Sequence, residues 1–291
     1  MKTSNTLSSS HVHYFQNRKG MTLAADVGGE PSGQPILLLH GGGQTRHSWR
    51  RTLDVLVQQG YYVISLDARG HGDSQWAPDS NYAMEELGND LLDVVATLAR
   101  KPVVIGASMG GLAGLLAIGL ADPDVFHSLI LVDIVPGLDP DGSQKVLDFL
   151  EARLDGFDNL EQVAEAVSAY NPNRPKPKDS SGLMKNLRYG DNGRLYWHWD
   201  PVFFAGSDAI HTPDFREHLY AICASISFPV LLIRGMSSDI VTDHSITELK
   251  KHVPHLQVFG VSKAGHMITG DQNDIFNEGI LAFITQDALV D

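Results

Sequence analysis

Gly106-Ala107-Ser108-Met109-Gly110 has the G-x-S-x-G spacing in which a serine hydroxyl acts as a nucleophile. A serine hydroxyl is weakly reactive alone, so it needs a base to take its proton and a carboxylate to hold that base in the right tautomer. The flanking sequence gives the pattern its weight. Val103-Val104-Ile105 reads as a strand and Met109 to Ala121 as a helix, and a tight strand-to-helix turn lifts the hydroxyl out at the sheet edge. The positions two before and two after Ser108 must then be small, as Gly106 and Gly110 are. In the chain order serine, acid, base, two later loops follow predicted strands: Arg234-Gly235-Met236-Ser237-Ser238-Asp239 and Lys263-Ala264-Gly265-His266-Met267. On that order Asp239 is assigned as the acid and His266 as the base. His266 stands out among 13 histidines because it lies just past the last strand; Asp133, directly after Leu129-Ile130-Leu131-Val132, is the rival acid.

Attack on a carbonyl builds an oxyanion, which two preorganised amides must hold. One is expected from Met109, directly after the nucleophile. The other is expected from His40-Gly41-Gly42-Gly43, where backbone without side chains can approach a substrate closely; Gly42 is assigned as the donor, with Gly43 beside it at the pocket.

These residues need strands and helices to position them. Short strands are predicted over His11–Gln16 and Met21–Val27, joined by an Asn17-Arg18-Lys19-Gly20 turn. Continuous apolar runs at Ile36–Leu39, Tyr61–Leu66, Pro102–Ile105 and Ser128–Ile134 mark strands covered on both faces, as in a parallel sheet. Predicted helices over Arg46–Gln59, Met84–Leu98 and Met109–Ala121 separate them, giving a βαβαβαβ alternation. The alternation stops at Pro136. From Gly137 to Ile226 no apolar strand is predicted; helical stretches at Val146–Leu154 and Leu160–Tyr170 and the proline-rich Asn171–Pro177 read as a small helical insertion. The alternation then resumes with strands Pro229–Ile233 and Leu256–Val261 and helices Asp243–His252 and Ile275–Ile284. The expected organisation is a core over 1–136 and 228–291, with a helical cap over 137–227.

Composition excludes other classes. The 291 residues are 43% apolar, and 35 acidic against 22 basic side chains give a formal charge of −13. Nucleic acid and anionic membrane surfaces, which need a positive face, are therefore not expected partners. Cys223 is the single cysteine, so no intramolecular disulfide forms. Met1 to Ser10 is polar and has no apolar run of signal-peptide length, which points to a cytoplasmic protein. The charge-free stretch Val103–Ala121 holds five glycines and reads as strand, turn and helix rather than a membrane span. His11 with His13, and His211 with His218, lack a third ligand at zinc-like spacing, and no G-x-G-x-x-G or P-loop motif occurs. No metal or organic cofactor is expected, and the sequence leaves the oligomeric state open.

With His40–Gly43, Asp67-Ala68-Arg69-Gly70-His71-Gly72-Asp73-Ser74, the Ser108 turn, the Arg234–Asp239 loop and Gly265-His266, the chain resembles the α/β-hydrolase superfamily over nearly its whole length. Through Gln44-Thr45-Arg46-His47-Ser48-Trp49 and Trp197-His198-Trp199-Asp200-Pro201 it is similar to bacterial esterases, epoxide-hydrolase-like proteins and cofactor-free haloperoxidases. The resemblance implies an α/β fold with a mostly parallel eight-stranded sheet flanked by helices and a helical cap after the sixth strand. It also implies that Asp67, Arg69, His71 and Asp73 are structural. Relatives that open epoxides or remove halide use an aspartate nucleophile, and Ser108 stands there instead, so the acyl route remains. The expectation is a serine hydrolase of a small, largely apolar carboxylic ester, with perhydrolysis as an accompanying activity. The alternatives are a C–C bond hydrolase, with Arg174, Arg188 or Arg194 meeting a substrate carboxylate, and a slow-turnover receptor-like protein. Trp197, Trp199, Phe203 and Phe204 are the densest aromatic cluster of the insertion and either wall the pocket or anchor the cap.

Overall fold

The computed structural model describes residues 10–170, 180–205, 210–262, 264–266, 268 and 273–287. The polar start at 1–9 and the proline-rich connector at 171–177, with Arg174, lie outside the described residues, as do Lys263 and Met267. Among the described residues the elements run β1 (His11–Gln16), β2 (Thr22–Gly28), β3 (Pro35–Leu39), α1 (Arg50–Gln58), β4 (Tyr62–Leu66), α2 (Met84–Val95), β5 (Val103–Ala107), α3 (Met109–Leu120) and β6 (Ser128–Val132). They continue with α4 (Pro140–Glu151), α5 (Leu160–Tyr170), β7 (Leu187–Tyr189), β8 (Leu195–Trp197), α6 (Pro213–Ala224), β9 (Val230–Gly235), α7 (Asp243–His252), β10 (Gln257–Val261) and α8 (Asn273–Asp287).

Eight strands form one sheet in the order β1-β2-β4-β3-β5-β6-β9-β10. The β1–β2 and β2–β4 pairs are antiparallel, and all pairs from β4 to β10 are parallel. The apolar runs behave as strands buried on both faces should. In β3, Leu37 and Leu39 join the core packed by α2, α3, α6 and α7, while Ile36 and Leu38 face the opposite core under α1 and α8. Parallel strands joined by helices bring every strand's C-terminal end to one edge, where loops from β3, β5, β6, β9 and β10 meet. The charge-free Val103–Ala121 stretch divides into β5, the Ser108 turn and α3, and among the described residues no helix is long and apolar enough to cross a membrane.

The insertion after β6 differs from expectation in two ways. It contains an antiparallel hairpin, β7 with β8, pairing Leu187 with Trp197 and Tyr189 with Leu195. Strands of three residues are too short to show an alternating pattern in sequence. The insertion also ends sooner than residue 227. Helix α6 packs against α3 and α7, and its Leu219, Ile222 and Cys223 belong to the main core. The cap layer is therefore α4, α5, the hairpin and the segment through Phe204, gathered around Leu147, Leu150, Phe157, Trp197 and Trp199.

Candidate active site

Ser108 sits between β5 and α3 at φ +47° and ψ −115°, a conformation an L-residue adopts only when its surroundings enforce it. The surroundings leave no room for side chains on either side. A Cβ on Gly106 would lie 2.5 Å from the Gly110 carbonyl carbon, and one on Gly110 would lie 2.5 Å from the Leu39 carbonyl oxygen. The small residues of the motif are thus required by the close passage of α3 over the ends of β3 and β5.

His266, in the loop after β10, is held by Asp133: its Nδ1 lies 2.8 Å from Asp133 Oδ2. The assignment of Asp239 as the partner of His266 is corrected by this geometry. Asp133 follows β6, is fully buried, and stands at φ +49°, which turns its carboxylate toward the end of β9. Oδ1 accepts the Gly235 N–H at 2.9 Å, and Oδ2 also accepts the Ser238 hydroxyl at 2.6 Å. Asp239, one residue past Ser238, points outward and pairs with Lys145 of α4 at 3.2 Å, with 55% of its side chain exposed. The sheet order explains the choice. β9 lies between β6 and β10, so the β10 loop reaches across the end of β9 to the residue that closes β6. Asp133 was visible as a rival from its place after an apolar strand; Ser238, which orients it, had no sequence signal of its own.

The glycine loop after β3 divides its amides. The Gly41 N–H donates to Gln44 Oε1 and the Gly43 N–H to His71 Nε2, each at 3.2 Å. The Gly42 N–H makes no hydrogen bond among the described residues. The Met109 N–H, at the first position of α3, has no intrahelical acceptor. Gly42 and Met109, the two assigned donors, both line a cavity of about 710 Å³ that also contains Ser108 and His266.

The cap encloses this cavity with Leu147, Phe149, Leu150, Tyr170 and Phe204, so its walls are largely apolar. Burial, together with the Asp239 and Asp133 carboxylates, pushes the Tyr170 hydroxyl upward, so it remains a neutral donor in this wall. Of the expected pocket residues, Gly43, Trp197 and Phe203 line the cavity and Trp199 does not. Trp199 stacks behind Trp197 with ring centroids 4.9 Å apart and abuts the face of Gly43. It packs the loop rather than meeting the cavity, because Trp197 occupies the position in front of it.

The other singled-out residues make contacts of their own. Asp67 is buried, accepts the Arg46 and Asp73 N–H groups and pairs with the Arg46 guanidinium, while Arg69 makes a two-bond contact with Asp90 at 2.7 Å. Arg188 lies over the Trp76 and Tyr196 rings, and Arg194 binds the Gly156 carbonyl and Asp158, so neither arginine faces the cavity. His11 and His13 lie exposed on the edge strand β1, whereas His211 lines the cavity.

Comparison with known proteins agrees with this architecture. Residues 36–278 match the model of the Alpha/beta hydrolase family. The chain is 31% identical over 244 residues to the esterase Rv0045c of Mycobacterium tuberculosis, spanning 81% of this chain and 78% of that protein. It is 29% identical over 269 residues to a non-heme haloperoxidase of Rhodococcus erythropolis, spanning 87% of this chain and 93% of that one. The crystal structure of E-2-(acetamidomethylene)succinate hydrolase superposes with a TM-score of 0.82 over 95% of this chain and 100% of that one; at 21% identity, that likeness concerns the fold. A strand-to-helix turn bearing Ser108, a histidine backed by a buried aspartate, a mostly parallel eight-stranded sheet and a family match over most of its length together make this chain a hydrolase that belongs to the alpha/beta hydrolase family.

Proposed function

We propose that the protein is a serine hydrolase that cleaves a small, largely apolar carboxylic ester through an acyl-serine intermediate. The observation that carries the reading is the His266–Asp133 pair opening onto the same apolar cavity as Ser108 and the unpaired Gly42 amide. Asp133 holds the imidazole proton on Nδ1, leaving the Nε2 lone pair to take the Ser108 proton. Ser108 Oγ attacks the ester carbonyl, the Gly42 and Met109 N–H groups hold the developing oxyanion, and His266 returns the proton to the departing alkoxide. Water then adds to the acyl-serine with His266 again as base, and Ser108 leaves. No hydrogen bond joins Ser108 to His266 in the structure; contacts of this kind commonly tighten only around a bound substrate. The apolar walls favour an uncharged acyl group of modest length. The similarity to an esterase supports the same chemistry.

The test is hydrolysis of p-nitrophenyl esters from acetate to long acyl chains by the wild type and Ser108→Ala. Turnover that peaks at short or medium chains and vanishes in Ser108→Ala is expected. Ester cleavage that survives Ser108→Ala to within a few-fold would overturn the mechanism.

A further inference from the structure

His71 lies in the loop after β4, far in sequence from the Ser108 turn, yet it holds the loop that carries the Gly42 amide. Its ring is fully buried, and Nδ1 lies 3.2 Å from the Arg69 carbonyl oxygen. An Nδ1–H donated there leaves Nε2 with a lone pair, and that atom accepts the Gly43 N–H. Gly43 stands at φ +71°. A run of three glycines has the greatest backbone freedom of any tripeptide, so a loop of this composition is not preorganised by its own torsions. Gly41 is held locally, its carbonyl by the Gln44 N–H and by His40 Nδ1 at 2.8 Å and its N–H by the Gln44 side chain, while Gly43 is held from outside the loop by His71. The ring is itself held: Phe203 meets it edge-on at 4.5 Å, Phe204 at 6.2 Å, and Trp199 stacks beside it at 6.3 Å. The backbone of the same cap segment is tied to the β4 loop, with the Gly72 N–H donated to the His198 carbonyl and the Asp200 N–H to the Gly70 carbonyl. Burial, with His40 and His198 nearby, holds the His71 imidazole well below the usual histidine range, so the acceptor stays unprotonated. The chain from cap aromatics to His71 to Gly43 therefore ends one residue from the amide that faces the cavity.

We propose that His71 is a positioning residue for the transition state: by accepting the Gly43 N–H it fixes the glycine loop with the Gly42 N–H directed at the substrate's carbonyl oxygen. The proposal rests on the acyl-serine reading above. Its energetic signature is specific, because an oxyanion donor acts on charge that develops only in the transition state. Loosening the donor lowers kcat and leaves KM in place.

Three variants separate the hydrogen bond from packing. His71→Gln places an amide oxygen at the reach of Nε2, His71→Asn is polar but too short, and His71→Leu is apolar without an acceptor. Each is assayed for kcat and KM with the best p-nitrophenyl ester and for affinity toward a trifluoromethyl ketone, whose serine adduct carries the oxyanion. Complete loss of a donor costs about 10²–10³ in kcat, which sets the ceiling for a loosened one. His71→Asn and His71→Leu are expected to lose about tenfold to a hundredfold in kcat at unchanged KM. They should lose the same factor in ketone affinity, and His71→Gln should restore most of both. Should His71→Leu fail to fold, the comparison of His71→Gln with His71→Asn still decides. Equal activity in those two variants, or a loss confined to KM, would overturn the proposal. Failure of the acyl-serine reading shows separately, as wild-type turnover that does not need Ser108.

Discussion

Replacing Asp133 with asparagine exchanges one carboxylate oxygen for an NH₂ at constant volume, in a site where both oxygens accept hydrogen bonds. Oδ1 accepts the Gly235 N–H; Oδ2 accepts the Ser238 hydroxyl and the His266 Nδ1–H. The amide has two orientations. With its oxygen toward Gly235, its NH₂ faces His266 Nδ1, which must give up its proton to accept; the proton moves to Nε2, and the lone pair that would deprotonate Ser108 is gone. With the oxygen toward His266, the NH₂ opposes the Gly235 N–H, leaving two buried donors in conflict at a cost of about 1–3 kcal/mol. The first orientation is therefore favoured, and the loss of the correct tautomer costs about 10⁴ in kcat, equivalent to about 5.4 kcal/mol of barrier. Asp239→Asn removes only an ion pair with Lys145 in which both side chains are more than half exposed, so at most about 1 kcal/mol of stability and little activity are lost. The assay is steady-state ester hydrolysis for both variants, with thermal melts showing that each is folded. A loss of several thousandfold in Asp239→Asn beside a mild effect in Asp133→Asn would refute the reasoning and return the acid role to Asp239.

Two further outcomes follow from local geometry. Ser108 is strained at φ +47°, and glycine relieves that strain whereas alanine keeps it. Ser108→Gly should therefore be more stable than Ser108→Ala by about 1 kcal/mol in chemical denaturation, after allowing for the extra freedom glycine gives the unfolded chain; equal stabilities would mean that the turn carries no strain. His40 and His71 are both held below the ordinary histidine value of 6.5, chiefly by burial. Below about pH 6.5 the unfolded chain binds these two protons and the folded chain does not, so stability is full above that pH and declines as pH falls. Each histidine contributes a slope of up to about 1.4 kcal/mol per pH unit in that window. Denaturant midpoints measured from pH 8 to pH 5 should show this decline, shallower in His71→Gln; a flat profile would mean that both imidazoles protonate in the folded state.

The core strands and helices and the candidate nucleophile Ser108 are legible in the sequence, whereas the β7–β8 hairpin and α6 are not. Apolar runs such as Ile36–Leu39 are legible because a strand covered on both faces is built mainly of apolar residues, and Leu37 and Leu38 do separate into opposite cores. The Ser108 turn is legible because its steric demand falls on Gly106 and Gly110, residues of the same short segment. Which aspartate pairs with His266 was not decidable this way. Asp133 and Asp239 both follow apolar strands and both lie between Ser108 and His266 in the chain, so chain order admits both, and the loop context favours Asp239, which the structure does not pair with His266. What separates them is burial and direction: the backbone at φ +49° turns Asp133 inward beneath the β9 loop, while Asp239 lies past that loop's turn beside Lys145. The pocket face of the aromatic cluster was equally hidden, because Trp197 and Trp199 project from alternate positions of one short segment and only packing against Gly43 and His71 places one before the other. These contacts are set by tertiary packing, which brings loops distant in sequence to one sheet edge and turns one of two otherwise similar side chains inward.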